Sequence, residues 1–201
     1  MLSYQEILER SKLDDSNVIN AYCYGSRVYG TATKNSDYDF IFVVKKRDNE
    51  QFSDNLININ FFTDEGHQQR LDEHEISALE CQFLSPEFIL KETKKYKFNF
   101  DVAKLRHSLS RKSSNSWVKC KKKLTVEKDY DLNVGRKSMF HAFRIMDYGF
   151  QLATEQKIYN YQSCNPLYHE IMSRYNWDEL FDTFKKDYNE WCSRFKSVTH
   201  K

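Results

Sequence analysis

Hydrophobic and polar positions in the first part of the chain follow patterns that predict a small β-sheet. Val18 to Tyr24 is rich in β-branched and aromatic residues, as strands are, and Ile41 to Val44 is a continuous apolar run. Asn55 to Phe62 alternates with a period of two. One face of this third strand would turn to the core with Ile57, Ile59 and Phe61, and the other would carry Leu56, Asn58, Asn60 and Phe62.

Helical patterns flank these strands and fill the C-terminal half. Ser3 and Glu6 have the spacing of a capping box, which predicts a helix to about Lys12. Gly135 to about Lys157 carries an apolar stripe at helical spacing, and Asn165 to Phe195 predicts two further amphipathic helices. We therefore expect an α/β (α+β) fold, in which a small mixed sheet flanked by helices precedes a helical C-terminal half.

The segments between the strands give weaker signals. Lys45 to Ser53 is charged and lacks periodic apolar residues, which favours a hairpin loop or insertion. Thr63 to His74 looks helical, and we expect its two histidines, His67 and His74, to be solvated. Ile76 to Phe83 predicts a mostly buried helix, and Ser85-Pro86 predicts the start of a helix to about Lys91.

Composition agrees with a folded, intracellular protein. Hydrophobic residues make up 40% of the 201 residues, and only 5 Gly and 2 Pro are present, which argues against disorder. The cysteines are odd in number and lack metal-ligand spacing, so we expect reduced thiols in a cytoplasmic protein. These cysteines are Cys23, Cys81, Cys120, Cys164 and Cys192. The apolar runs are too short to span a bilayer, so we expect no membrane association.

Candidate chemistry is concentrated between the first two predicted strands. Gly25 would let backbone N–H groups approach a ligand closely, and Ser26 and Arg27 add a hydroxyl and a charge. Asp37 and Asp39 stand two apart at the head of a strand, so both carboxylates would project to one face. Two such carboxylates repel each other unless they share a hard cation such as Mg²⁺. The alternative is a hairpin in which the aspartates only form a turn.

This arrangement resembles the signature of the DNA polymerase β-like nucleotidyltransferase superfamily, in which a Gly-Ser turn precedes paired aspartates. The longer pattern, with Arg27, Tyr29 and Gly30-Thr31, is most similar to the predicted nucleotidyltransferases of phages and RNA-repair operons. The resemblance implies that Asp37 and Asp39 are catalytic and bind Mg²⁺ or Mn²⁺. It also implies that the nucleotide is bound by Gly25, Ser26, Arg27 and Ser36.

The same resemblance implies a division of the chain. Residues 1–100 would be the catalytic core, and residues 101–201 would be a helical region that closes over the nucleotide and carries a basic tract. Weaker similarity continues through Ile76–Glu80 and from Lys137 to Arg144.

The sequence departs from the superfamily where a third carboxylate usually completes the metal site, because Asn58 and Asn60 occupy that region. An amide can bind a hard cation but cannot act as a general base. Glu80 is our first candidate for the missing catalytic carboxylate, ahead of Asp54, since Glu80 lies in a predicted buried helix. Alternatively, Glu80 makes a structural hydrogen bond or ion pair, the attacking hydroxyl needs no protein base, or the enzyme is impaired.

Val102 to Val126 contains no acidic residue, although the whole chain has a net charge of only +2. A stretch of one sign favours contact with the phosphates of a nucleotide or of RNA. Trp117 would stack on a base. The predicted nucleic-acid-binding residues are Lys104, Arg111, Lys112, Trp117, Lys119, Lys121, Lys122 and Lys123. The alternative is a solvated helix face with Trp117 in the core.

Lys137, His141, Arg144 and Tyr148 fall on one line of the predicted helix from Gly135. Three potential cations in register would repel each other unless an anion lay across them. The first three are therefore predicted to bind the nucleotide triphosphate, as the resemblance also implies. Alternatively, Lys137 and Arg144 are simply exposed and His141 packs at a boundary.

Together these features predict a metal-dependent enzyme that transfers a nucleoside monophosphate from a nucleoside triphosphate to a hydroxyl and releases pyrophosphate. The basic tract favours RNA as the acceptor, either tRNA or another RNA 3′ end. Two alternatives remain open at this point. One is transfer to a protein side chain, as in antitoxin-type nucleotidyltransferases, and the other is a catalytically impaired nucleotide or RNA sensor.

Overall fold

The computed structural model describes residues 2–46 and 50–200. The chain divides into two compact units, which we call the sheet unit and the helical unit. The sheet unit comprises Met1–Glu73 and Ser77–Asn99, and the helical unit comprises His74–Ile76 and Phe100–Lys201.

The first half of the chain forms five strands and four helices within the described residues. Its elements are α1 (Tyr4–Ser11), β1 (Val18–Tyr24), α2 (Ser26–Tyr29), β2 (Tyr38–Val44), β3 (Gln51–Ser53), β4 (Ile57–Thr63), α3 (Asp64–Asp72), α4 (Ile76–Gln82) and β5 (Ile89–Glu92). Ser3 caps α1 through the predicted capping box with Glu6.

The strands form one mixed sheet in the order β3-β4-β2-β1-β5. Strands β2 and β4 pair in parallel, and the other neighbours pair antiparallel. The central strand β2 is buried from Phe40 to Val44, which explains why its sequence is a continuous apolar run. In β4 the predicted core positions Ile57, Ile59 and Phe61 are buried and Asn60 is exposed. The predicted α+β architecture is therefore confirmed.

Two edge strands differ from the sequence prediction. Instead of a helix to Lys91, Pro86–Phe88 makes a single 3-10 turn, and Ile89–Glu92 then pairs with β1. Ser85-Pro86 does start a helical turn, but the apolar residues that follow are used to extend the sheet. Strand β3 pairs with β4 and lies in the segment predicted as a loop, of which residues 47–49 lie outside the described residues.

The prediction of solvated histidines is wrong for both residues. His67 is 1% exposed, because it packs in the sheet unit against the rings of Tyr22, Phe62 and Tyr96. His74 is fully buried in the helical unit, where its Nε2 accepts a hydrogen bond of 2.9 Å from the backbone N–H of Asp101. A polar helix sequence does not show which of its positions are buried. A single histidine that points into the core can be buried even when its neighbours are polar.

The helical unit contains four further helices among the described residues. They are α5 (Val102–Thr125), α6 (Leu132–Glu155), α7 (Asn165–Met172) and α8 (Trp177–Val198). Asp131 caps α6, so this helix begins three residues before the predicted Gly135. Gly135 permits close packing of α6 on α5, because a Cβ there would lie 2.7 Å from Cγ of Leu124. Within the described residues no helix has the length and hydropathy needed to cross a bilayer.

Candidate active site

The turn after β1 is fixed by a glycine that touches an aspartate. Gly25 has a φ of 77°, a left-handed conformation that residues with side chains rarely adopt. A Cβ at Gly25 would lie only 2.3 Å from Oδ2 of Asp39. Tyr24 pairs with Asp39 across β1 and β2, which brings the turn and the carboxylate together. The sheet register therefore places the start of α2 directly beside Asp39.

The Ser26 hydroxyl lies at the first residue of α2 and makes no hydrogen bond within the described residues. Gly30, with a φ of 74°, ends this helix after one turn. The turn from Gly25 to Gly30 thus presents a hydroxyl next to an acidic side chain.

Asp37 and Asp39 converge on one amide group, as their spacing predicts. The Nδ2 of Asn58 donates hydrogen bonds to Oδ2 of Asp37 at 2.5 Å and to Oδ1 of Asp39 at 3.3 Å. Asn58 reaches both because it lies beside Asp39 in the parallel pairing of β2 and β4. Asp37 is exposed and Asp39 is half-buried, so the pair is open to a ligand.

Ser53 is a residue of this site that sequence reasoning missed. It lies opposite Asn58 in β3, and its hydroxyl donates a hydrogen bond to Oδ1 of Asn58. This contact fixes the amide so that its N–H groups face the two aspartates. A serine in a short charged segment gives no sequence signal of such a role, since it depends on strand pairing.

Neither candidate for a third carboxylate joins the aspartates. Asp54 accepts hydrogen bonds from Arg10 and from the backbone N–H groups of Leu56 and Ile57, so it shapes the turn before β4. Glu80 is 1% exposed and accepts a hydrogen bond of 2.9 Å from the Tyr29 hydroxyl. The catalytic assignment of Glu80 is therefore without support in the geometry, and the alternative of a structural hydrogen bond describes its position.

The acidic pair has the donors that a hard cation prefers. Within the described residues no group of three His, Cys, Asp or Glu side chains could hold a metal ion. Two carboxylates with a neighbouring amide still match Mg²⁺, which often uses one or two protein carboxylates and completes its shell with water and phosphate oxygens. Asp37 and Asp39 thus fit a divalent cation, and Asn58 would join them only by presenting its Oδ1 in place of the Nδ2 that now faces them.

Arg27 and Ser36 order the loop that leads to Asp37. The Arg27 guanidinium donates a hydrogen bond of 2.6 Å to the Ser36 carbonyl and lies 3.5 Å from the centroid of the Tyr38 ring. The Ser36 hydroxyl accepts a hydrogen bond of 2.9 Å from the backbone N–H of Thr33. Both residues therefore hold the loop in place, and their contact with a nucleotide stays a prediction.

Burial changes the charge of the three residues on α6 that were predicted to bind the triphosphate, Lys137, His141 and Arg144. Lys137 is exposed, but Arg144 is 3% exposed and its guanidinium contacts Nδ1 of His141 at 2.6 Å. Burial lowers the pKa of His141 well below its ordinary value, and the charges of Arg144, Lys112 and Lys119 lower it further. His141 is therefore neutral and accepts the hydrogen bond. Only two of the three predicted cations carry charge.

The basic tract of α5 is distributed over several surfaces. Lys112 and Lys119 lie close enough to His141 to act on its pKa, whereas Lys122 pairs with Asp129 at 3.1 Å. Lys104, Arg111 and Lys121 are exposed, and Lys123 is half-buried. Most of these positions can meet a polyanion, but not all from one direction.

Trp117 is not available for base stacking. Its side chain is 8% exposed and stacks on Tyr188 with ring centroids 4.3 Å apart, and it also meets Phe143 and Trp177 edge-on. The alternative of a core tryptophan on a basic helix is the one that the structure supports.

Comparisons with known proteins give a family match over the sheet unit and a similar solved structure. Residues 5–96 match the profile of the nucleotidyltransferase domain family. Among solved structures, the chain is similar to spectinomycin adenyltransferase from Enterococcus faecialis with ATP and spectinomycin, at 13% identity and a TM-score of 0.46, over 97% of this chain and 100% of that one. No curated protein sequence matches the chain. The matched residues include the Gly25 turn and both aspartates, so the sheet unit carries a nucleotidyltransferase domain and the chain is an enzyme of the nucleotidyltransferase class.

Proposed function

We propose that this nucleotidyltransferase moves a nucleoside monophosphate from a nucleoside triphosphate to an RNA hydroxyl, with release of pyrophosphate. The observation that carries the proposal is the convergence of Asp37 and Asp39 on the Asn58 amide, next to the Gly25 turn. Two acidic groups and a glycine turn therefore share one open site, which supports the proposal.

In this proposal Asp37 and Asp39 hold Mg²⁺ or Mn²⁺, and Asn58 turns or withdraws its amide to let the ion bind. When bound, such an ion neutralises phosphate charge and lowers the pKa of the attacking hydroxyl. Ser53 opposes that movement of Asn58, because it fixes the amide with its N–H groups toward the aspartates.

The remaining residues of the sheet unit bind and orient the substrate. The Ser26 hydroxyl and the backbone at Gly25 take the terminal phosphates, which are released as pyrophosphate. Arg27 keeps Asp37 in position through Ser36 and Tyr38. Asn58 cannot accept a proton, so the proton of the attacking hydroxyl passes to water.

The helical unit supplies the acceptor contacts in this proposal. Exposed cations of α5, among them Lys104, Arg111 and Lys112, attract the RNA backbone. The assignment of Lys137, His141 and Arg144 to the nucleotide also stays a proposal. Arg144 and the neighbouring Lys112 and Lys119 bring positive charge to that face of α6, which favours a phosphate there.

Asn58 also favours a second candidate function, a nucleotide sensor that does not turn over. The site has two carboxylates where the superfamily pattern has three, so cation binding would be weaker. Among the described residues no third carboxylate joins them as a general base. Such a protein would bind the nucleotide without transferring it.

The proposal is tested with nucleoside triphosphates labelled at the α-phosphate, incubated with the purified protein, Mg²⁺ and total RNA. We expect label in RNA, and we expect Asp37→Asn and Asp39→Asn each to abolish it. The exposed Asp182 of α8 provides the matched control, Asp182→Asn, which should leave labelling unchanged.

Other distributions of the label contradict the RNA assignment. Label in the protein fraction, dependent on Asp37 and Asp39, identifies a protein-modifying enzyme. Nucleotide binding with no label in either fraction identifies the sensor.

A further inference from the structure

A groove of about 850 Å³ lies within the helical unit between α5 and α8. Its basic lining residues are Arg106, His107 and Arg111 from α5, Lys196 from α8, and His200 just beyond α8. Among the residues that the structure describes, none of those lining it is acidic. The groove therefore has one sign of charge, although the whole chain is almost neutral.

The fixed cations of the groove are not neutralised by neighbours. In the part of the chain that the structure describes, Arg106, Arg111 and Lys196 form no ion pair with a carboxylate. Ion pairs of the helical unit occur elsewhere, as between Lys186 and Glu190 on α8. Three unpaired cations around one concave surface concentrate a positive potential. This potential favours an anion long enough to contact all three.

Polar uncharged groups accompany the cations. Ser110 and Ser114 of α5 and Asn189 of α8 line the groove and carry hydrogen-bonding side chains. Tyr188 also lines it, with its hydroxyl 2.9 Å from the Ser113 hydroxyl and its ring stacked on Trp117. The groove thus offers donors and acceptors on walls that are fixed by core packing.

The cations of the groove come from two helices, which suits a chain of phosphates better than a single one. Arg106 and Arg111 are five residues apart on α5, about 7.5 Å along the helix axis and about 140° around it, and Lys196 comes from α8. The serine and asparagine side chains can bond the 2′-hydroxyl, which distinguishes RNA from DNA.

We propose that the groove between α5 and α8 binds the backbone of single-stranded RNA, with Arg106, Arg111 and Lys196 on phosphates and Ser110, Ser114 and Asn189 near the ribose. The inference rests on the proposed RNA acceptor, and it names the part of the helical unit that holds it. The groove would hold the strand, while the aspartates of the sheet unit carry the transfer.

The test measures binding of a fluorescent single-stranded RNA oligonucleotide to the full chain, without nucleotide, over a range of salt concentrations. The variant is Arg106→Ala with Arg111→Ala and Lys196→Ala. We expect its affinity to fall by about tenfold or more, and the slope of log K against log salt to decrease by about 2, as expected for three lost phosphate contacts on a single strand.

The control removes the same charge from exposed lysines outside the groove, with Lys128→Ala, Lys157→Ala and Lys186→Ala. It should leave the affinity within about twofold and the slope unchanged. Thermal unfolding of both variants verifies that they are folded, and a DNA oligonucleotide of the same sequence should bind more weakly than RNA.

Equal losses in the groove variant and the control overturn the proposal, as does a wild-type chain that binds no RNA or prefers DNA. Capture of an acidic peptide instead of RNA overturns it as well. Label transfer measured separately with Asp37→Asn keeps the two questions apart. If RNA binds in the groove but no label is transferred to it, only the proposed function is contradicted. If label is transferred but RNA affinity does not depend on the groove residues, only this inference is contradicted.

Discussion

At the residue scale, the site depends on a position that has no side chain. Gly25 combines a φ of 77° with a carboxylate where its Cβ would be. Any other residue would strain the backbone and push Asp39 away from Asn58.

We expect Gly25→Ala to lower nucleotidyl transfer by about 100-fold, because displacement of a reacting group by an ångström has effects of that order. Gly30→Ala is the control, since Gly30 has a similar φ of 74° and shares the backbone strain of about 1–2 kcal/mol. Initial rates and thermal unfolding of both variants measure the difference. Equal loss of activity in the two would show that strain, and not contact with Asp39, is responsible.

Asn58 gives a prediction about the cation. Asn58→Asp replaces the hydrogen-bond donor between Asp37 and Asp39 with a third negative charge, which without metal should destabilise the fold by about 1 kcal/mol. With Mg²⁺ the same variant should be stabilised more than the wild type, because a third carboxylate strengthens the site.

Thermal unfolding with and without Mg²⁺ measures both effects, independently of activity. Asn60→Asp, on the same strand and exposed, should show neither. A variant whose stability does not respond to Mg²⁺ would contradict a cation site between these residues.

His67 gives a prediction about pH. Burial lowers the pKa of His67 from 6.5 to about 4, and Arg70 adds to the shift while Asp64 opposes it. The unfolded chain then binds a proton that the folded chain does not, so stability falls as the pH drops from about 6.5 toward 4. Between pH 7 and pH 5 this single group should cost about 2 kcal/mol.

Denaturant unfolding at the two pH values measures this loss. His67→Phe should remove most of it, because a phenyl ring fits the aromatic surroundings and does not titrate. His169→Asn, at an exposed histidine, should leave it intact. An unchanged pH dependence in His67→Phe would assign acid sensitivity to other groups.

At the element scale, α5 shows how one helix serves two purposes. Leu105, Leu109, Trp117 and Cys120 form its buried side, while most of its basic residues are exposed on the rest of its surface. The lack of acidic residues from Val102 to Val126 therefore indicates the charge of the exposed surface of α5, but not the packing of its buried side. The packing of Trp117 on Tyr188 makes the helix part of the core.

We expect Trp117→Phe to reduce the free energy of unfolding by about 1–3 kcal/mol, since it leaves a cavity, and Trp117→Ala to reduce it by about 3–5 kcal/mol. RNA affinity of the folded Trp117→Phe variant should change by less than about twofold. Val118→Ala, at an exposed neighbour, should affect neither quantity. Loss of RNA affinity in Trp117→Phe without loss of stability would restore the base-stacking role.

The elements also show what the sequence can predict. Strand β2 follows from a local pattern, the apolar run of its sequence. The projection of Asp37 and Asp39 to one face is also local, because it depends only on their spacing of two residues. Strand β5 does not follow from a local pattern, since Ser85-Pro86 favours a helical turn and only the free edge of β1 selects a strand. Ser53 and Asn58 meet through the pairing of β3 with β4, which no local pattern of those residues specifies.

At the scale of the whole molecule, a net charge of +2 conceals two different regions. The sheet unit gathers an acidic pair beside a glycine turn, and the helical unit gathers unpaired cations in a groove. Composition alone predicts neither. The sheet register brings the two aspartates together within the sheet unit, and the packing of α5 and α8 brings the cations together within the helical unit.

The central claim is that Asp37 and Asp39 act jointly on a divalent cation that accompanies the nucleotide. Calorimetric titration of a non-hydrolysable triphosphate with and without Mg²⁺ tests it most directly. We predict that Mg²⁺ strengthens binding to the wild type by about tenfold or more, and that Asp37→Asn or Asp39→Asn alone removes this gain. Nucleotide binding that is independent of Mg²⁺ and unchanged in both variants would contradict the account.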